Sequence, residues 1–261
     1  MKLHCRRPAV QVEGPAVVCV HGIGQHGGIF EGLAQRLGRL GYSVTAVDLR
    51  GHGSSGRQPP WDLETHIADL EETVAAAGIE CPTWVAHSFG GKVVAALASR
   101  KPELAQRLVL LDPGLEVPPD HALRRAEIDR LDWSFATVDG ATAALVGAGV
   151  PASARDAIAR FVKEDAKPGP DQRLRLSASP GATVVAWSEM CRPLPPLAQL
   201  ETLVVRTEDE SLNSAEIERR LEAELGPLLR IARVPHGHNV LWEAPEETAA
   251  AVGSFLGPAS A

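Results

Sequence analysis

Residues 83–100 read TWVAHSFGGKVVAALASR, and the fold is decided there. Thr83 to Ala86 is a short β-rich apolar run, and Gly90 to Arg100 is an Ala/Val-rich helical run. Between them, Ala86-His87-Ser88-Phe89-Gly90 follows the template G-x-S-x-G, with the small residue Ala86 in place of the first glycine. In that template a strand turns sharply into a helix and holds a serine Oγ out on the corner. Small residues are needed on both sides because the turn presses backbone segments together. The N–H groups after Ser88 fall at a helix N-terminus, which suits a developing oxyanion. The competing reading is an ordinary strand-to-helix turn with a capping serine, so the rest of the chain has to decide.

Working outward, strands and helices alternate. Ala16 to Val20 is a continuous apolar run, the mark of a buried parallel strand. Phe30, Leu33, Leu37 and Leu40 fall at helical spacing, and Gly41 stops that helix. Ser43 to Val47 is a strand, Leu63 to Ala77 an amphipathic helix, and Leu108 to Leu111 another strand. Leu3 to Val12 has room for one short edge strand. The alternation breaks over Gly114 to Leu197, where Arg124 to Trp133 and Ala152 to Val162 read as helices and proline clusters punctuate. It resumes with a strand at Thr202 to Val205, a helix at Ala215 to Leu225, a strand at Leu229 to Val234 and a helix from about Pro245 to Phe255. The pattern predicts an α/β fold: a doubly wound, mostly parallel sheet of about 6–8 strands. Residues 1–113 and 198–261 would form its core domain, and residues 114–197 an inserted helical lid.

Composition narrows the function. The chain has 261 residues and a formal net charge of −7, an acidic balance that argues against a nucleic-acid partner. Cys5, Cys19, Cys81 and Cys191 are scattered, so a disulfide scaffold is not expected. No stretch approaches the length of a membrane span, and the first residues lack the apolar core of a signal peptide. A reduced, cytoplasmic protein, monomer or homodimer, is the expectation. With no H-E-x-x-H, no Cys/His ligand spacing and no G-x-G-x-x-G after a strand, neither metal nor cofactor is expected.

A nucleophilic serine needs a base, and the base an orienting acid; with this elbow the chain order is serine, acid, histidine. The strand Leu203 to Val205 runs on into Glu208-Asp209-Glu210, and the last strand into His236-Gly237-His238. Both lie past strand C-terminal ends, where open α/β sheets place their ligands.

Four motifs together resemble the α/β-hydrolase family. They are His21-Gly22 after a strand, Asp48-Leu49-Arg50-Gly51-His52-Gly53-Ser54-Ser55, the Ser88 elbow, and Gly237-His238 followed by Glu243-Ala244-Pro245. The stretch from His21 to Ala34 also has a looser likeness to the monoglyceride lipase and lysophospholipase branch. The resemblance implies that Ser88 is the nucleophile and His238 the base, with His236 its rival. It puts the acid at Asp209, with Glu208 and Glu210 as neighbours and Asp112 as a second site that some relatives use. It gives the oxyanion hole to the backbone N–H groups of Ile23 and Phe89. Thr207 stands where relatives usually carry glycine. The Asp48, Arg50 and His52 loop is expected to be structural, and His26 a loop histidine without a chemical role. His21, Gly22, Gly24, His87, Trp133, Phe161 and Trp187 are candidate pocket residues.

The implied reaction is acyl transfer to water on small carboxylic esters of short to medium chain, with neither membrane nor nucleic acid as partner. C–C bond hydrolysis, lactonase, thioesterase and perhydrolase activity would keep the same triad. A non-catalytic ligand-binding member would more often have lost part of it. Serine at the elbow disfavours dehalogenase and epoxide-hydrolase chemistry, which uses aspartate there.

Overall fold

The computed structural model describes residues 1–8, 12–131, 133–146, 151–208, 212 and 214–259. In chain order the first half holds β1 (His4–Arg6), β2 (Ala16–Val20), α1 (Glu31–Arg39), β3 (Ser43–Asp48), α2 (Leu63–Ala76), β4 (Thr83–His87), α3 (Phe89–Arg100) and β5 (Arg107–Leu111). The middle segment holds α4 (Pro119–Asp129), β6 (Ser134–Phe135), α5 (Val138–Leu145), α6 (Ala152–Asp165), β7 (Lys167–Pro168), β8 (Leu174–Arg175) and α7 (Pro180–Met190). The last part holds β9 (Thr202–Thr207), α8 (Ala215–Leu225), β10 (Leu229–Val234), α9 (Val240–Glu243) and α10 (Pro245–Leu256).

Among the described residues the main sheet has seven strands in the order β1-β3-β2-β4-β5-β9-β10. All its pairings are parallel except that of β1, which runs antiparallel along β3 with Cys5 opposite Val47. The alternating side chains of the strands feed two cores. Val18, Val20, Trp84, Leu108 and Leu110 face α2, α3 and α8. Val17, Cys19, Val85, Val109 and Leu111 face α1 and α10. This period-two division, with apolar residues on both faces, explains why the strands read as unbroken apolar runs. The chain reverses its winding between β2 and β4, which opens a crevice at the C-terminal ends of those strands.

The middle segment departs from its sequence reading in three respects. The expected Arg124 to Trp133 helix lies earlier, at Pro119–Asp129, because Pro119 supplies the fixed φ of a first helical turn. Helices α5 and α7 carry no clear stripe in sequence: α5 is short, and in α7 Val184 and Val185 put apolar residues outside the buried face formed by Ala182, Thr183, Ala186, Trp187 and Met190. A small antiparallel sheet, β6-β8-β7, is built from two-residue strands, too short to leave a pattern in sequence.

Candidate active site

The β4–α3 corner has the geometry its sequence predicts. Ser88 takes φ 54° and ψ −119°, a backbone conformation that costs a non-glycine residue about 1–3 kcal/mol and persists only where its surroundings hold it. Ser88 N–H donates to the Leu111 carbonyl (3.1 Å), and the Ser88 carbonyl accepts from Gly91 and Gly114 (2.9 and 3.0 Å). A side chain at Gly90 would collide with the Val20 carbonyl on β2. A Cβ on Gly22 would stand 2.7 Å from Ser88 Cβ, so the loop after β2 lies directly against the serine. Ser88 is buried, at 4% exposure.

His238 sits in the loop after β10, its side chain 27% exposed, with its Nε2 2.9 Å from Ser88 Oγ. Its Nδ1 lies 2.6 Å from Asp112 Oδ2, and Asp112 is fully buried. A carboxylate only accepts, so Nδ1 carries the proton and Nε2 offers a lone pair to the serine hydroxyl. Asp112 follows the last residue of β5 with φ 34°, and its N–H donates to the Val205 carbonyl of β9 (2.7 Å). Leu212 N–H also reaches Asp112 Oδ2, at 3.5 Å.

The acid expected at Asp209, and its neighbour Glu210, lie outside the described residues. Glu208 is exposed, and its N–H donates to the Val234 carbonyl. The imidazole has a single Nδ1–H, and the carboxylate set against it is that of Asp112. His236 is exposed in the turn ahead of His238, with φ 71°. Ile23 is half-buried in the loop that lies on Ser88, and Phe89 is fully buried as the first residue of α3.

The pocket candidates divide. His21 is fully buried between backbone groups: Nδ1–H donates to the Gly22 carbonyl (2.7 Å) and Nε2 accepts from Leu49 N–H (2.8 Å). It braces the ends of β2 and β3, and burial followed by nearby His52 holds its pKa well below the usual histidine value. His87 is also buried, and burial, then the neighbouring His238, pushes its pKa down to about 3. Gly24 takes φ 71° in the loop over the serine. Phe161 of α6 stacks on His26 (4.6 Å) and meets Trp242 (5.2 Å). Trp187 of α7 donates from its indole to Asp129 (2.6 Å) and lies 5.9 Å from the His121 ring. Trp133 packs edge-on against Phe135 and donates to the Ile128 carbonyl (3.0 Å), a contact internal to the middle segment.

The loop after β3 is a brace, as expected. Asp48 accepts from Arg6 (2.8 and 3.1 Å), Gly27 N–H (2.8 Å) and Ser54 N–H (2.9 Å). Burial would raise its carboxyl, but Arg6 and the backbone donors outweigh that and hold it at about 2. His26 is buried and accepts from Gly28 N–H (3.0 Å). Gln25 and Asn239, which no sequence motif marks, are hydrogen-bonded to each other beside the site (3.1 Å). Among the described residues no group of three or more His, Cys, Asp or Glu side chains is arranged to hold a metal ion. No described helix is long and apolar enough to cross a membrane.

Residues 15–245 match the family model of the alpha/beta hydrolase fold. The chain belongs to this family. It is 32% identical over 255 residues to Lipase LipV of Mycobacterium tuberculosis, covering 94% of this chain and 95% of that one. It is 36% identical over 155 residues to the pimeloyl-[acyl-carrier protein] methyl ester esterase of Chromobacterium violaceum, covering 56% of this chain and 58% of that one. Among solved structures, E-2-(acetamidomethylene)succinate hydrolase superposes with a TM-score of 0.83 at 25% identity, over 97% of this chain and 99% of that one. Membership of this family, with lipase and esterase relatives, supports a hydrolase of this fold.

Proposed function

We propose that the protein is a serine hydrolase that cleaves small carboxylic esters of short to medium acyl chain through a Ser88 acyl-enzyme. The observation that carries this reading is the Ser88–His238–Asp112 alignment, with contacts of 2.9 and 2.6 Å on opposite nitrogens of one imidazole. His238 Nε2 takes the Ser88 proton as Oγ attacks the ester carbonyl, then protonates the leaving alkoxide. In the second half-reaction His238 deprotonates water, which attacks the acyl carbon and releases the acid and the serine. Asp112 holds the tautomer and stabilises the imidazolium. It takes the role that the family resemblance assigned to Asp209, because it already occupies the one Nδ1–H.

The backbone N–H groups of Ile23 and Phe89 are the proposed oxyanion donors, each worth about 2.7–4 kcal/mol in the transition state. Support comes from the loop pressed on Ser88 at Gly22 and from the position of Phe89 at the start of α3. Residues 114–197 are read as a cap over the crevice, which fits the burial of Ser88 and the placement of Phe161 and Trp187. The esterase choice follows the lipase and esterase activities for which the relatives above are named, since one triad serves several acyl-transfer reactions.

The test is hydrolysis of p-nitrophenyl esters from acetate to palmitate, wild type beside Ser88→Ala. Turnover with an optimum at short to medium chains, falling by at least about 10³-fold in Ser88→Ala, is expected. Equal rates for the two proteins would overturn the assignment of Ser88.

A further inference from the structure

We propose that Gln25 is a positioning residue, acting with His87 to fix the peptide that presents the Ile23 N–H to the reaction; the inference rests on the serine-hydrolase reading above. Gln25 is buried, at 8% exposure, where a polar amide is kept only by its hydrogen bonds. Its Oε1 accepts from Gly22 N–H (3.1 Å) and lies 2.9 Å from His87 Nδ1. Its Nε2 donates to Asn239 Oδ1 (3.1 Å), in the residue after His238. His87 Nε2 in turn lies 3.0 Å from the His238 carbonyl oxygen. One side chain therefore joins the loop after β2, the serine corner and the histidine loop.

The backbone shows what this joint controls. The Gly22 carbonyl accepts from His21 Nδ1–H (2.7 Å) and from Gln25 N–H (3.4 Å). A trans peptide is planar, so a pinned Gly22 carbonyl sends the Ile23 N–H the opposite way. The preceding peptide is pinned at its N–H by Gln25 Oε1. Gln25 thus grips Gly22 from both sides, with its backbone N–H on one and its side-chain oxygen on the other. Gly22 itself lies against Ser88 Cβ, so a small rotation here moves the Ile23 N–H relative to the serine.

The proton arrangement sharpens the role. His87 faces an oxygen at each ring nitrogen, and a neutral ring has one N–H for two acceptors. A charged ring would satisfy both, but its centroid is 4.8 Å from that of His238, where a second cation would oppose the imidazolium formed in turnover. Gln25 selects between them: with its oxygen fixed by Gly22 N–H it is an acceptor, so the one N–H of a neutral His87 goes to it from Nδ1, and Nε2 faces the His238 carbonyl without a proton.

The experiment compares wild type, Gln25→Met, Gln25→Glu and Ser88→Ala by p-nitrophenyl butyrate kinetics, rate of fluorophosphonate labelling and thermal midpoint. Gln25→Met keeps the length and removes both polar atoms; Gln25→Glu keeps the oxygen that Gly22 needs. The expected result is a kcat about 10–100-fold lower in Gln25→Met, a part of the cost of losing a donor outright, with KM changed less than about 3-fold and labelling slowed in parallel. Gln25→Glu recovers most of that loss. Wild-type kcat and labelling in Gln25→Met overturn the proposal, as does equal loss in both variants tracking a lowered thermal midpoint. If Ser88→Ala retains turnover and labelling, the serine reading itself fails; if it loses both while Gln25→Met resembles wild type, only the Gln25 role fails.

Discussion

At the scale of single residues, the carboxylate 2.6 Å from His238 Nδ1 is where one substitution says most about the chemistry. Replacing Asp112 by Asn leaves the shape but removes the acceptor for Nδ1–H, so kcat is expected to fall about 10³–10⁴-fold. Asp209→Asn is expected to stay within about 3-fold of wild type. Measuring both on p-nitrophenyl butyrate decides between them, and a collapse in Asp209→Asn alone would return the role to the family position. Ser88 and His238 were legible because each is marked by its own short motif. The acid carries no such mark. Strands β5 and β9 are parallel neighbours with Leu111 beside Val205, so acids past either end open onto the same edge. Which one meets His238 depends on how the two loops travel, and loop path is not written in periodicity. Gln25 escaped notice for a related reason, since its importance lies in contacts with residues 62 and 214 positions away.

At the scale of elements, the serine corner is the tightest joint. Gly90→Ala would drive a Cβ into the Val20 carbonyl, and backbone on both sides leaves little room to yield. A loss of about 1–3 kcal/mol is expected, read as a lower urea midpoint with an unchanged slope. An unchanged midpoint would mean that the corner is looser than described. Helix α3 also ties the site to the middle segment: buried Lys92 donates to the Leu115 and Arg192 carbonyls, and burial lowers its pKa to about 8. On the other side, Asp165 at the end of α6 accepts from Ser177 N–H (2.8 Å) and from its hydroxyl, whose oxygen accepts from Gly53 N–H (2.9 Å). Asp165→Ala would strand these donors and is expected to cost about 1–3 kcal/mol by the same denaturation measurement. The core strands and helices were legible from apolar runs and helical spacing. The middle segment was less so, because α7 has apolar residues on and off its buried face and β6–β8 are two residues each.

At the scale of the whole molecule, buried histidines set the acid limit. His21, His26, His52, His66 and His87 are each no more than 1–2% exposed. Burial is the leading cause in every one of them and lowers the pKa, to about 4 in His66 and about 3 in His87. Above about pH 6.5 folded and unfolded chains both hold these rings neutral, and stability is full. Below it the unfolded chain takes up protons that the folded chain refuses, so stability falls until the folded pKa values are reached. His66 and His87 alone would remove about 3 kcal/mol per pH unit between about pH 6 and pH 4. Urea titrations across that range should show a steep fall in the midpoint, and a flat profile would contradict the burial described. The acyl-enzyme itself can be caught by acid-quenched turnover of p-nitrophenyl butyrate followed by peptide mass spectrometry. A butyryl group is expected on the peptide that contains Ser88, and none in Ser88→Ala. Sustained hydrolysis with Ser88 unmodified, or an acyl group on another residue, would contradict it.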